Sequence, residues 1–233
     1  MIPLRDVIPS RTTPVVTVSL IVLNALVFFY ELSIGDAIEE FVLYFGLVPA
    51  AFSWVAVFTS MFLHGGFLHF GGNMLYLWIF GDNVEDRMGH GRYLGFYLLC
   101  GWTASYAHVW SDPASRVPSL GASGAIAGVL AAYLTLYPHA RVVTLIPFGI
   151  FTRLVQIPAV FFLVFWFLQQ FIFGVASLAA RTAQTGGVAW FAHIGGFVAG
   201  LALVWLFRDE RRKPPRRDTW WEGANRPRRA RGW

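Results

Sequence analysis

The residues of this 233-residue chain best suited to chemistry are one serine and one histidine, each set among small residues in an apolar stretch. Ser123 lies in Gly-Ala-Ser-Gly-Ala at the head of a predicted helix, and His193 lies in Ala-His-Ile-Gly-Gly inside another. A serine hydroxyl becomes a nucleophile when a base removes its proton, and imidazole is such a base. Polar groups inside hydrocarbon are costly and point by default to function. The pair therefore predicts a nucleophilic catalyst inside a membrane.

The composition indicates an integral membrane protein. Hydrophobic residues make up 56% of the chain and charged residues only 13%, against roughly 25% charged residues in soluble domains. Ten of the 18 lysines and arginines lie from Arg208 onward, so the long middle of the chain is nearly free of charge. We expect an all-α, polytopic membrane bundle with a basic tail.

Six stretches approximate membrane-spanning helices, which need about 20 mostly apolar residues to cross ~30 Å of hydrocarbon. They are Val15–Leu32, Phe62–Gly81, Tyr93–Trp110, Gly121–Tyr137, Val155–Ala176 and Val188–Phe207, of which the fourth is short. Clusters of turn and charged residues separate most of them, at positions 82–92, 111–120, 138–153 and 177–187. The pattern predicts six transmembrane helices.

The distribution of basic residues predicts the orientation of these spans. With the N-terminus inside, sixteen lysines and arginines fall on the cytoplasmic side, and only Arg116 and Arg181 fall outside. An even number of spans then places both termini in the cytoplasm, for a multi-pass protein of the inner (plasma) membrane. Met1–Arg11 contains two prolines and precedes a full-length span, so we expect no signal peptide.

Three regions are expected along the chain. Residues 1–14 form a cytoplasmic segment, residues 15–207 the membrane domain, and residues 208–233 a basic cytoplasmic tail. Residues 34–60 form a long outer loop, which we interpret as structured and partly embedded because its apolar pieces are too short to cross. The tail mixes Pro, Arg and Trp without periodicity, so we expect disorder and attraction to anionic lipid. Topology alone explains its charge, so no specific nucleic acid is expected as a partner.

The cysteine and histidine pattern predicts neither a cofactor nor a metal. Cys100 is the only cysteine, which excludes an internal disulfide, and its place inside the third span indicates packing. No His-x-x-x-His or Cys/His spacing typical of a metal site occurs. His90 and His139 lie at cytoplasmic ends of spans, and His108 lies near an outer end with no evident partner.

The predicted topology places Ser123 and His193 at a similar depth. The fourth and sixth spans both run from the outer to the inner side, and His193 lies roughly 8 Å below the start of its helix at 1.5 Å per residue. Small residues that let helix backbones approach closely occur on both spans. They are Gly124, Ala127, Gly128 and Ala131 on the fourth span and Gly195, Gly196 and Gly200 on the sixth. Packing of these faces would bring the hydroxyl within reach of the imidazole.

The second predicted span adds two hydrogen-bond donors. His69 and Asn73 are four residues apart and therefore share one helix face. Donors aimed at a developing oxyanion contribute roughly 3–4 kcal/mol each in acyl transfer, and the start of the fourth helix adds backbone N–H groups near Ser123. His64 would lie about 140° from His69 around the helix, at ~100° per residue. We interpret His64 as structural or interfacial.

Taken together, these motifs resemble those of the rhomboid intramembrane serine proteases. The similar segments are Gly121–Ala125, Ala192–Gly196 and His64–Asn73, with further similarity at Pro3–Asp6, Thr59–Phe62 and Gly81–Asp86. The resemblance covers roughly residues 1–207, in the order and spacing of bacterial members. It implies a six-helix rhomboid fold with a Ser-His dyad and no aspartate.

The resemblance also implies a role for each candidate residue. Ser123 matches the family nucleophile, His193 the general base, and His69 and Asn73 the oxyanion-hole side chains. Substrates would be transmembrane proteins that enter from the lipid bilayer past the fifth span and are cut near the outer face, at small residues in helix-destabilised segments. The fifth span carries an aromatic surface that suits either a gate or ordinary contact with lipid: Phe161, Phe162, Phe165 and Trp166.

Some questions stay open at the level of sequence. Several family members carry an aromatic residue four positions after the nucleophile, which stacks on the base, whereas this chain has Ala127. What orients His193 is therefore not determined. The family also contains inactive members that lack the serine or the histidine, so a non-catalytic role in substrate binding or quality control is the alternative. Six helices fit a monomer or a dimer equally well.

Overall fold

A computed structural model describes residues 1–148, 151–179 and 189–212. This part of the chain is mostly helical, which confirms the predicted helical membrane bundle. The helices are α1 (Val15–Ser33), α2 (Ile38–Phe45), α3 (Trp54–Thr59), α4 (Phe67–Met88), α5 (His90–Ser111), α6 (Ser123–Leu136), α7 (Ala159–Ala179) and α8 (Trp190–Phe207). Short 3-10 turns occur at Gly35–Ala37, Pro49–Ala51 and Ser60–Phe62.

Six of these helices follow the six predicted spans in order: α1, α4, α5, α6, α7 and α8. Among the described residues, α1, the Ala159–Ala176 part of α7, and α8 are long and apolar enough to cross a membrane. The 14 residues of α6 extend only about 21 Å at 1.5 Å per residue. The predicted fourth span, Gly121–Tyr137, was too long, since the helix begins only at Ser123 and ends at Leu136.

A three-stranded antiparallel sheet is a feature that the sequence analysis did not predict. β1 (Ile2–Asp6) pairs with β2 (Arg141–Phe148), which pairs with β3 (Phe151–Pro158). The fifth span was predicted to begin at Val155, which was wrong, since that residue lies in β3 and α7 begins at Ala159. Valine and isoleucine raise hydropathy whether they stand in a strand or a helix, and here their β propensity prevails.

The start of the chain, the α4–α5 turn, the sheet and the end of α8 lie together at one end of the bundle. The carboxylate of Asp86, near the end of α4, accepts hydrogen bonds from the backbone N–H groups of Arg11 (2.6 Å) and Thr12 (2.9 Å). After α8, the N–H of Asp209 donates to the carbonyl oxygen of Arg87 (2.9 Å). α6 runs toward this end, so its first residue lies at the opposite end. The side of the membrane that each end faces stays a prediction.

The acidic end of α4 also anchors the start of α1. The buried carboxylate of Glu85 accepts hydrogen bonds from the N–H of Val16 (2.9 Å) and from the N–H (2.8 Å) and hydroxyl (2.7 Å) of Thr17. The first N–H groups of a helix have no acceptor within it, and a negative charge is favourable at that end. This contact fixes α1 against α4, the helix that carries two of the candidate site residues.

The predicted outer loop is built from short helices. Within residues 34–60 the chain forms α2, α3 and two 3-10 turns, and a third turn begins at Ser60. Three expectations fall outside the described residues: the disordered tail beyond residue 212, the outer position of Arg181, and the start of the sixth span at Val188. The described part of that span begins as α8 at Trp190.

Candidate active site

The site depends on an unusually close approach of α6 and α8. A Cβ added to Gly196 would collide with the carbonyl oxygen of Gly124, and one added to Gly200 would collide with the backbone of Gly128. Two backbones can come this close only where neither helix carries a side chain. The predicted glycine faces are thus in contact. Gly195 does not belong to this face, because a Cβ there would meet Ala107 of α5.

This packing brings the candidate nucleophile and base together. Ser123 is the first residue of α6, and His193 lies in the first turn of α8. The distance between Ser123 Oγ and His193 Nε2 is 2.7 Å, which is the length of a hydrogen bond. His193 is buried, at 8% exposure, whereas Ser123 is only partly buried.

The backbone before Ser123 is held by the segment that precedes α4. The N–H of Gly121 donates to the carbonyl oxygen of Ser60 (2.8 Å), and Leu47 and Ser119 exchange two backbone hydrogen bonds (3.1 and 2.8 Å). Gly121 has a φ of +115°, a conformation that residues with a Cβ rarely adopt. These contacts fix the turn from which α6 begins.

His69 and Asn73 of α4 lie beside this turn. A Cβ on Gly121 would lie 2.6 Å from Nε2 of His69 and 3.4 Å from Nδ2 of Asn73, so both side chains approach the glycine backbone. The N–H of Gly65 donates to Nδ1 of His69 (3.4 Å), which leaves Nε2 as the protonated nitrogen of the neutral ring. Nδ2 of Asn73 is buried and has no hydrogen-bond partner among the described residues. Two donors therefore point toward the backbone that leads into Ser123.

His64 occupies a different position from the one its spacing suggested. α4 begins at Phe67, so His64 precedes the helix and an angle around it does not apply. Its backbone N–H donates to the carboxylate of Glu31 (3.1 and 3.3 Å), and its ring centroid lies 5.1 Å from that of His69. His64 is buried and packs behind the ring of His69.

Two residues of α7 that the sequence analysis did not connect with His193 contact it. The amide oxygen of Gln170 lies 2.7 Å from Nδ1 of the imidazole, and the ring of Trp166 lies 5.8 Å from the imidazole centroid at an interplanar angle of 38°. Ala127 is fully buried. Gln170 and Trp166 of α7 thus contact His193, as does the ring of Trp190 of α8 at a centroid distance of 6.2 Å, whereas Ala127, four residues after the nucleophile, offers no aromatic ring. A glutamine in an apolar span is itself a polar group in hydrocarbon, and that signal pointed to Gln170.

The aromatic residues of α7 divide between two faces. Phe161 and Phe165 are exposed, whereas Phe162 is buried and Trp166 is partly buried against His193. The expectation of one shared aromatic surface was wrong, because Phe162, Trp166 and Gln170 follow at intervals of four residues on the inward face.

A small cavity adjoins the hydroxyl of Ser123. Its volume is about 20 Å³, room for about one water molecule. The polar residues that line it are Ser60, Ser105, Ser119 and Ser123. The site thus holds a hydroxyl, a base, two donors and space for one small polar molecule.

These features define a polytopic helical membrane protein with a serine–histidine pair at the end of two closely packed helices. Residues 51–210 match the family model described as the Rhomboid domain, which covers more than half of the chain. The chain belongs to the rhomboid family.

Named relatives come from bacteria and from mitochondria. "Rhomboid protease GluP" of Bacillus subtilis is 34% identical over 195 residues, which are 82% of this chain and 35% of that protein. "Rhomboid protein 1, mitochondrial" of Saccharomyces cerevisiae is 30% identical over 66% of this chain and 42% of its own length. The human "Presenilin-associated rhomboid-like protein, mitochondrial" is 29% identical over 64% and 39%. The chain thus spans less than half the length of these relatives.

Proposed function

We propose that this protein is an intramembrane serine endopeptidase that cleaves membrane-protein substrates with Ser123 and His193. The observation that carries the proposal is the 2.7 Å hydrogen bond between Oγ and Nε2. GluP, which aligns with most of this chain, is named a protease, whereas the names of the mitochondrial relatives state no activity. The chemistry of the site therefore carries more weight than the names.

In the first step Ser123 attacks the carbonyl carbon of the scissile peptide. The Oγ–C bond forms while the hydroxyl proton moves to Nε2 of His193, and negative charge develops on the carbonyl oxygen. The Nε2–H of His69 and the Nδ2–H of Asn73 are the donors for that oxyanion, together with the free N–H groups of the first turn of α6.

The intermediate then breaks down in two stages. The C–N bond breaks as the proton on Nε2 passes to the leaving amine, which leaves an acyl group on Ser123. A water molecule attacks this ester while His193 accepts its proton, and collapse releases a carboxylic acid and restores the hydroxyl. The cavity beside Ser123 has room for that water.

The position of Ser123 in the bundle suggests at which side of the membrane a substrate is cleaved. Ser123 lies at the end of the bundle opposite the sheet and the start of the chain, so a cytoplasmic N-terminus would place the dyad near the outer face of the plasma membrane. Transmembrane proteins with helix-destabilised segments are the proposed substrates, because an extended peptide exposes the carbonyl that a helix hides.

Ser123→Ala tests the proposal, with Ser19→Ala as the matched control at an exposed position of α1. We expect Ser123→Ala to abolish both cleavage of a single-span model substrate and covalent labelling by a fluorophosphonate probe in detergent. Ser19→Ala should behave as the wild type, and all three proteins should share one thermal midpoint. Cleavage that persists in Ser123→Ala, or wild-type protein that the probe does not label, would reject the proposal.

A further inference from the structure

The base of the dyad donates its second hydrogen bond to an uncharged side chain. Nδ1 of His193 lies 2.7 Å from Oε1 of Gln170, and these side chains are only 8% and 6% exposed. No aspartate or glutamate occurs between Asp112 and Asp209 in the sequence. An amide therefore occupies the place that a carboxylate holds in a serine-histidine-aspartate triad.

The two hydrogen bonds of His193 together determine which nitrogen carries the proton. A general base must present an unprotonated Nε2 to the serine hydroxyl, so the proton of the neutral ring lies on Nδ1. Nδ1–H then donates to the amide oxygen of Gln170, which can accept a hydrogen bond but does not take the proton. The opposite tautomer would place Nε2–H against the hydroxyl and leave Nδ1 as an acceptor.

We propose that Gln170 is a positioning residue that fixes the tautomer and the ring orientation of His193, an inference that rests on the proposed function. Trp166, one helical turn earlier on the same face of α7, packs against the imidazole at a centroid distance of 5.8 Å. α7 thus completes the dyad, although it contributes neither the nucleophile nor the base.

A neutral amide suits this place for an electrostatic reason. A carboxylate buried between helices would lose its hydration, and a cation or several hydrogen bonds would be needed to compensate that cost. An amide carries a far smaller desolvation cost and still offers an acceptor with a fixed direction. Gln170 orients the base without placing a full charge in the bundle.

The neighbouring glutamine supplies a matched control. Gln169 lies on the exposed face of α7, whereas Gln170 lies on the buried face. The same glutamine-to-methionine substitution at each position therefore distinguishes loss of the hydrogen bond to His193 from a general effect of the substitution on the helix. Gln170→Met keeps the length of the side chain and removes the acceptor. Gln170→Asn keeps the amide and shortens its reach, and Gln170→Glu keeps both the reach and an acceptor.

We expect Gln170→Met to lower kcat about 10- to 100-fold, because a buried donor loses its partner. KM should stay within about twofold, since the interaction acts on the base and not on the substrate. The rate of fluorophosphonate labelling should fall in parallel, because the probe needs the activated hydroxyl but no transmembrane substrate. Gln169→Met should retain wild-type values, and Gln170→Glu should recover most of the lost rate.

The outcomes separate this inference from the proposed function. If wild-type protein cleaves and is labelled but Gln170→Met equals Gln169→Met, the positioning role is wrong and the dyad stands. If wild-type protein does neither, the proposed function itself fails. If Gln170→Met lowers the thermal midpoint, its loss of activity could reflect unfolding, and Gln170→Asn is then the deciding variant. Loss of labelling in Gln170→Asn at an unchanged thermal midpoint supports the inference. Wild-type labelling in that variant overturns it.

Discussion

Replacement of Gly196 by alanine tests whether helix packing sets the geometry of the dyad. An added Cβ would lie 2.8 Å from the carbonyl carbon of Gly124, whereas ordinary contact begins at 3.4 Å. The carbonyl oxygen of Gly124 lies closer still, at 1.9 Å, so ordinary contact requires the two helices to separate by about 1.5 Å. Gly124 follows Ser123 directly, and Gly196 lies one turn after His193. The separation therefore acts directly on the pair.

The expected loss follows from the hydrogen bond itself. Its length of 2.7 Å would grow to 4.2 Å if it took up the whole 1.5 Å, well beyond the usual upper limit of about 3.2 Å. A misplacement of ~1 Å can cost about 10²-fold in rate, so we expect kcat to fall about 10- to 100-fold. Overpacking costs about 1–3 kcal/mol of stability, and the helix preference of alanine over glycine offsets about 0.5–1 kcal/mol of it.

Gly91→Ala is the matched control, because a Cβ at that exposed position of α5 meets nothing within 4 Å. We would measure kcat on the model substrate, the rate of fluorophosphonate labelling and the thermal midpoint for both variants. Gly91→Ala should keep wild-type activity. Wild-type turnover in Gly196→Ala at an unchanged midpoint would refute the reasoning, since the helices would then tolerate the side chain without moving the dyad.

Two further predictions concern α4 and the start of the chain. Asn73→Ala should lower kcat roughly 10²–10³-fold with little change in KM; wild-type kcat in the purified variant would reduce Asn73 to a structural residue. Burial, and secondarily the charge of Asp82, raises the pKa of Asp6 well above its usual range. The folded state therefore holds a proton that the unfolded state releases, so the thermal midpoint should fall as pH rises above about 4. Asp6→Asn should flatten this dependence while exposed Asp36→Asn does not, and equal slopes would contradict the assignment.

The parts of the site that the sequence predicted are those whose residue types conflict with their surroundings. Ser123 and His193 stand out because they are polar in apolar stretches, and the glycines because they recur at helical spacing. The contact between Gly196 and Gly124 follows from the same pattern, since helices in lipid approach most closely where side chains are absent. Such signals are local and do not require knowledge of the neighbouring helices.

The parts that the sequence did not predict depend on which helices are neighbours. Gln170 is polar in an apolar span, but only the packing of α7 on α8 shows that it meets Nδ1 of His193. The sheet was missed because β1 and β2 are separated by most of the chain, and hydropathy does not distinguish a valine-rich strand from the start of a span. Trp166 is a residue type that commonly faces lipid, yet it is partly buried against His193.

In the described part of the chain, an amide and not a carboxylate lies beside His193, and this changes what the fold must provide. In a charged triad the aspartate stabilises the imidazolium as well as orienting the ring, so some misalignment is compensated by electrostatic attraction. Gln170 orients the ring but adds no charge, and the stabilisation of the transition state then depends on the donors around the oxyanion and on the distance between Oγ and Nε2. That distance is set by two backbones in direct contact, which have almost no freedom to adjust. Under the proposed function, the glycine face of α6 and α8 would therefore serve catalysis, because its rigidity would replace what a carboxylate supplies by charge.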